Sequence, residues 1–149
     1  MKVADLMQRA VTVPPDMPLD EVARRMLAEG VDAVAVVDGA GRLRGLISEV
    51  DFNVQERYLP FTAQSAPTVF GQWVSASLDV ETAYARAGRI TAERVMHSPA
   101  LVVTPNDLLG ITACRMSHAH ADLVPVIRDG ELVGLLAARD LVRLAAHVA

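Results

Sequence analysis

The sequence predicts an α/β fold of two β-α-β-β-α repeats related by a pseudo-twofold axis, with an aromatic-rich insert between them. Three observations predict it. "GLISEVD", residues 45–51, returns as "GLLAARD", residues 134–140, and the stretches ahead of them keep register, with Met7 on Met96, Met26 on Met116 and Asp32 on Asp122. Each copy has the same order of short apolar runs and one helically spaced stripe, divided by turn residues. Between the copies, residues 58–78 carry no charge, and five of the six aromatic side chains (Tyr58, Phe61, Phe70, Trp73, Tyr84) lie between 58 and 84. The division is 1–57 for the first repeat, 58–90 for the insert and 91–149 for the second repeat.

In the first copy "AVTV" is a short β-rich run, and "PPDMP" is a turn in which Asp16 is the expected N-cap and Pro18 a tolerated first-turn residue. Leu19, Val22, Ala23, Met26 and Leu27 follow the spacing of a buried helical stripe, and Gly30 ends it. "AVAVV" suits a strand covered on both faces. "DGAGR" is a hairpin turn, "LRGLIS" the returning strand, and a helix resumes near Glu49. The second copy repeats this with "ALVV", the turn "TPND", a stripe of Leu108, Leu109, Thr112, Ala113 and Met116, and the hairpin "LVPVI–RDGE–LVGLLA". Its final helix runs from Ala138 to His147. A short helical lead, "VADLM" or "TAERVM", precedes each copy. One copy of about 55 residues is marginal alone, whereas two sharing a core are stable. In the insert, Asp79 to Gly88 can form a short helix.

Hydrophobic residues make up 52% of the chain and charged ones 21%, a globular composition. A net charge of −4 without any Lys/Arg run argues against a nucleic-acid partner. No uninterrupted apolar stretch reaches a membrane-spanning length, and the start "MKVADLMQRA" breaks the apolar core a signal peptide needs. The single Cys114 allows no internal disulfide. A cytoplasmic protein without membrane contact is expected. Cys114 reads as a small buried side chain rather than a nucleophile, His118 and His120 lack a matching Cys or His cluster, and no nucleophile-elbow, P-loop or zinc-protease motif occurs, so neither enzyme activity nor a metal site is expected.

The repeated stretch has chemistry of its own. Ser48 closes a strand where a helix begins, and the free N–H groups of a helix start favour phosphate. The Ser48 hydroxyl can add to that contact. Asp51, one turn on, offers two oxygens to the two hydroxyls of a ribose. The strand "VDAVAV" supplies a wall for a base. The same pair also has the spacing of a capping box, in which Asp51 reaches back to the start of the helix. Ala137 replaces the serine in the second copy, leaving Asp140 without a capping hydroxyl. Arg139 offers either a phosphate charge or a solvated helix face.

On "VADLM", "MLAEGVDAVAVVDGAGRLRGLISEVD" and "MSHAHADLVPVIRDGELVGLLAARD" the two copies resemble a tandem CBS-domain pair, or Bateman module. The resemblance implies a regulatory module that binds an adenosine-containing ligand: AMP, ADP, ATP or S-adenosylmethionine. It implies phosphate and ribose contacts at Ser48, Asp51 and Asp140. The base would be lined by Val11, Thr12, Val31, Asp32 and Ala33 in one copy and by Val103, Asp122, Leu123 and Pro125 in the other. Ala137 departs from the pattern, so one ligand per chain is expected. The resemblance further implies a homodimer, no cofactor beyond the regulatory ligand, and a protein partner acted on in trans. A ligand-free dimerisation or interaction module docking through the insert is the rival reading. A small nucleotide-acting enzyme is a third, and it lacks a general base. The insert itself could cover an edge of its own repeat pair, make a homodimer contact, meet another protein or wall a ligand cleft.

Overall fold

A computed structural model of the chain describes residues 1–58, 64–74 and 79–147; Phe61 and the side chain of Tyr58 lie outside the described parts. In chain order the elements are β1 (Thr12–Val13), α1 (Leu19–Glu29), β2 (Ala33–Val37), β3 (Leu43–Ser48), β4 (Gln55–Tyr58), β5 (Ser65–Val69), β6 (Gln72–Trp73), α2 (Val80–Ala85), α3 (Ala92–Val95), α4 (Leu109–Ala119), β7 (Leu123–Arg128), β8 (Glu131–Ala137) and α5 (Ala138–His147). They form two compact units of interleaved pieces. One comprises Met1–Ala10, Val37–Gly45 and Ser98–Ala149, the other Val11–Val36 and Leu46–His97.

The unit built on the first repeat has β1 parallel to β2, with Thr12 opposite Ala35 and Val13 opposite Val36, and β3 on the other side of β2. Ala33 to Val36 are all buried, as a strand covered on both faces requires. Helix α1 packs Leu19, Val22 and Met26 into the core beside Val13, Val34, Val36 and Ile47. Its apolar stripe is narrower than expected, because Leu27 is 83% exposed. Gly30 closes the helix in the left-handed region at φ 65°, where a side chain would be strained. Asp16 is not the N-cap. Pro18 holds that place and offers no side-chain acceptor; the Leu19 N–H donates to the Ile90 carbonyl at 2.7 Å and the Glu21 N–H to the Asp20 carboxylate at 2.9 Å.

After β3 the chain makes one 3-10 turn, Glu49–Phe52, rather than a full helix, and then enters a three-stranded antiparallel sheet, β4-β5-β6. The β5–β6 link is the two-residue turn Phe70–Gly71, with φ of 52° and 75°. Positive φ at both positions is what such a hairpin demands, and Phe is an unusual occupant of the first. Its ring is held edge-on against Phe52 and Tyr84, with centroids 5.6 and 5.5 Å away, and the Tyr84 hydroxyl donates to the Phe52 carbonyl. Asp79 caps α2 by accepting from the Thr82 N–H at 2.8 Å.

The unit built on the second repeat has the hairpin β7–β8, running from Leu123 opposite Ala137 to Arg128 opposite Glu131. Asp129 and Gly130 make its turn at φ of 51° and 81°. "ALVV" contributes only a bridge between Val103 and Val126 instead of a strand. Thr104 and Asp107 close the next turn through side-chain bonds of 2.9 and 3.0 Å, and α4 starts at Leu109. His120 ends α4 in the left-handed conformation that Gly30 adopts in the other copy.

The leads are exchanged. Val3, Leu6 and Met7, from the lead of the first repeat, pack with Leu109, Met116, Val124 and Leu136 of the second. Ala92, Val95 and Met96, from the lead of the second, pack in or against the core of the first, beside Ile90 at the end of the insert. The backbone pairings match: the Val3 N–H donates to the Asp107 carbonyl at 2.9 Å, and the Glu93 N–H to the Pro15 carbonyl at 2.9 Å. Gln8 bridges Leu135 and His97 bridges Leu46, each through two hydrogen bonds. Val3 is fully buried, and such burial contributes on the order of 1.5–3 kcal/mol.

Candidate functional site

The first-repeat residues expected at a ligand all fall within one unit, and backbone bonds tie them together. The Ala35 N–H donates to the Val11 carbonyl at 3.0 Å, which sets Val11 and Thr12 along β2. The Glu49 N–H donates to the Asp32 carbonyl at 2.9 Å, joining Val31, Asp32 and Ala33 to the turn that follows Ser48. The second set, Val103, Asp122, Leu123, Pro125, Arg139 and Asp140, lies in the other unit with the same wiring. There the Val103 N–H donates to Pro125 at 3.1 Å and the Ala138 N–H to Asp122 at 2.8 Å.

The two carboxylates differ. Asp51 Oδ2 accepts from the Ser48 N–H at 2.8 Å, lies 3.5 Å from the Ser48 hydroxyl and 3.3 Å from His97 Nδ1. All these contacts fall on one oxygen. Asp140 also reaches back, its Oδ2 accepting from the Ala137 N–H at 2.8 Å, so the backbone half of the capping box forms without a serine. Asp140 thus makes a capping bond although Ala137 supplies no hydroxyl. Its Oδ1 is held by Arg143 at 3.1 Å, and the residue is 2% exposed. Both of its oxygens are occupied.

His97 is the residue that sequence reasoning missed. It belongs to the lead of the second repeat and reaches Asp51 because the leads are exchanged. The alignment of Met7 with Met96 makes His97 the counterpart of Gln8, but nothing in either lead says that it packs on the opposite copy. Burial pushes the Asp51 carboxyl up, and the bonds from His97 and the Ser48 N–H outweigh it, holding the group below its ordinary 3.8. The Asp51 bond lifts His97 above its ordinary 6.5, against the effect of burial.

Beside Asp51 lies a pocket of about 290 Å³ lined by Gln55, Thr68, Phe70, Gly71, Trp73, Arg94 and Val95 as well. The sheet β4-β5-β6 builds one wall and α3 the other. Trp73 is 41% exposed, and Arg94 is exposed and makes no ion pair among the described residues. A second, almost wholly apolar pocket of about 200 Å³ is lined by Ala23, Met26, Leu27, Val31, Glu49 and Phe52.

The family model for the CBS domain matches residues 3–53 and 92–147, the two repeats. The chain belongs to the CBS domain family. Its mixed α/β repeats are those of a CBS pair. The CBS domain of a CBS domain-containing membrane protein from Sphaerobacter thermophilus is 30% identical, with a TM-score of 0.73, covering 97% of this chain and 87% of that one. A CBS domain-containing protein from Bacillus anthracis shares the fold at 20% identity and a TM-score of 0.70, covering 100% of this chain and 95% of that one. So does the CBS domain pair of protein MJ0100, solved with 5-methylthioadenosine and S-adenosyl-L-methionine, at 19% identity and a TM-score of 0.68, covering 98% and 96%. No curated protein matches the sequence significantly. Among the described residues, no helix of this CBS pair is long and apolar enough to cross a membrane.

Proposed function

We propose that this CBS pair is a regulatory module that senses an adenosine-containing ligand and acts on a partner protein in trans, as a cytoplasmic homodimer. The observation that carries the reading is the contrast between the two carboxylates. Among the described residues Asp51 keeps one oxygen uncommitted beside the Ser48 turn and the Val31–Ala33 strand start, whereas Asp140 spends both on Ala137 and Arg143. A ribose diol needs an acceptor that is not already used. The first-repeat set, Val11, Thr12, Val31, Asp32, Ala33, Ser48 and Asp51, is the proposed site, and one ligand per chain follows. Binding alters a partner only if the ligand prefers one conformation of the module over another.

The test is a thermal-shift panel with AMP, ADP, ATP, GTP, S-adenosylmethionine and NAD on the protein and on Asp51→Ala. A ligand at 100 times its Kd adds about 2.7 kcal/mol to the folded state. A rise with an adenosine compound that Asp51→Ala abolishes supports the site; a rise that survives it removes Asp51 from the site. One observation favours the second reading, a ligand-free docking module: Trp73 of the insert stands 41% exposed. That reading expects no shift with any compound.

A further inference from the structure

We infer that His97 is a positioning residue for Asp51, presenting one carboxylate oxygen to the ligand by holding the other, and that protonation of His97 regulates affinity at the first-repeat site. The inference rests on the adenosine reading of that site and adds a regulation to it. His97 is fixed beside β3 by two backbone bonds with Leu46, at 2.9 and 3.0 Å. Its Nδ1 lies 3.3 Å from Asp51 Oδ2, and the Ser48 N–H donates to the same oxygen at 2.8 Å. Two donors on Oδ2 fix the orientation of the carboxylate and present Oδ1, which has no partner among the described residues.

The second repeat shows the alternative. Gln8, the counterpart of His97, sends its side-chain amide to the Leu6 carbonyl at 3.3 Å, and Asp140 is held by Arg143 of its own helix. Val54 stands where Arg143 stands, so the first repeat has a titratable cation where the second has a permanent one. Around His97, β3 offers the Leu46 backbone, the turn Glu49–Phe52 presents Asp51, and α3, just ahead of it, carries Glu93 and Arg94. The Asp51 bond lifts the titration of His97 above the ordinary 6.5, against burial. His118, His120 and His147 all lie in the other unit. A protonated His97 makes the bond to Oδ2 charge-assisted and orders the acceptor before the ligand arrives. A neutral His97 holds it less tightly, and the cost of ordering it then opposes binding. Ribose hydroxyls are uncharged donors, so the orientation of the acceptor outweighs the charge that the proton withdraws from it.

The experiment is calorimetric titration of the full chain with adenosine, AMP and S-adenosylmethionine from about pH 5.5 to 8.5, on wild type and His97→Gln. The ratio of wild-type to His97→Gln affinity cancels any titration of the ligand itself. That ratio should fall roughly 3- to 10-fold as pH rises through the His97 midpoint, the difference between a charge-assisted and a neutral hydrogen bond. By reciprocity, a saturating ligand should raise the His97 midpoint, followed by NMR, by the logarithm of the same factor, up to about one pH unit. A merely structural histidine moves neither reading. The Leu46 bonds are backbone and survive the substitution, and an unchanged Tm of ligand-free His97→Gln at the alkaline end shows that the variant folds. A ratio that is flat or rises with pH, or a midpoint that the ligand leaves in place, overturns the positioning role and leaves the adenosine reading standing. Absence of binding by all three ligands at every pH overturns that reading, and the positioning role with it.

Discussion

Gly134→Ala is expected to destabilise the chain by loosening the exchanged lead of the first repeat. A Cβ at position 134 would stand 2.9 Å from the Gln8 carbonyl oxygen, 2.9 Å from Met7 Sδ and 3.3 Å from Met7 Cγ. The Met7 side chain can turn away. The Gln8 carbonyl cannot, because it accepts from the Leu135 N–H at 2.9 Å while the Gln8 N–H donates to the Leu135 carbonyl at 2.8 Å. Relieving the clash means lengthening or losing that pair of bonds, each worth about 0.5–1.5 kcal/mol net. Overpacking of a close contact costs about 1–3 kcal/mol on its own, and the two overlap, so the total is on the order of 2–4 kcal/mol. At this chain length that is a fall in Tm of roughly 5–15 °C. Urea denaturation with an unchanged m-value gives the free energy directly. Gly110→Ala is the control: it lies in α4 with nothing within 4 Å, and replacing a helical glycine there should be neutral or stabilise by up to about 1 kcal/mol. A Gly134→Ala protein within about 0.5 kcal/mol of wild type would refute the close-approach argument, since surface-like changes fall in that range.

Three more outcomes follow from the two carboxylates and the insert. His97 is raised above 6.5 in the folded state, so its stabilisation is complete below 6.5 and lost as pH rises through the raised value; Asp51, held below 3.8, contributes above 3.8 and loses its share as pH falls through the lowered one. Following the His97 imidazole by NMR should show a raised midpoint that Asp51→Asn returns toward 6.5, and an unmoved midpoint would break the pair. Asp140→Ala should cost about 1–3 kcal/mol in urea denaturation, more than Asp51→Ala, because it strips a buried acceptor from Ala137 and Arg143; equal costs would contradict the difference in burial. Tyr84→Phe, which removes the hydroxyl from the Phe52 carbonyl and keeps the ring against Phe70, should lower stability by about 0.5–1.5 kcal/mol, measured the same way.

Much of the architecture is legible in the one-letter code because its signals are local. The spacing of Leu19, Val22 and Met26 marks α1, Asp129–Gly130 marks a hairpin turn, and the return of "GLISEVD" as "GLLAARD" marks the repeat. The exchange of leads is not legible, since Val3 and Ala92 are apolar in either packing and periodicity says only that they are buried somewhere. His97 stays hidden for the same reason: its partner Asp51 is remote in sequence, and the bridge to Leu46 is backbone, which composition does not encode. The Asp16 cap fails because the helix starts later than that turn suggests, with Pro18 at its N-cap and the Ile90 carbonyl, remote in sequence, accepting from the Leu19 N–H. In the candidate site, Ser48 and Asp51 announce themselves by spacing. Arg94 and Trp73 come from α3 and the insert sheet, and only tertiary folding sets them beside the carboxylate.

The exchange of leads also has a consequence for how the chain is made. Residues 1–10 are synthesised long before residues 98–149, whose core they complete. Until Leu136 has been added, Val3, Leu6 and Met7 have no native core to enter. The contact joining them spans most of the chain, and loop closure of that length is repaid only at the end, the pattern of a slow folder. In that interval the same segment can complete the core of another nascent copy, so the joint at Ala10–Val11, where the chain passes from one unit to the other, is where domain swapping would begin.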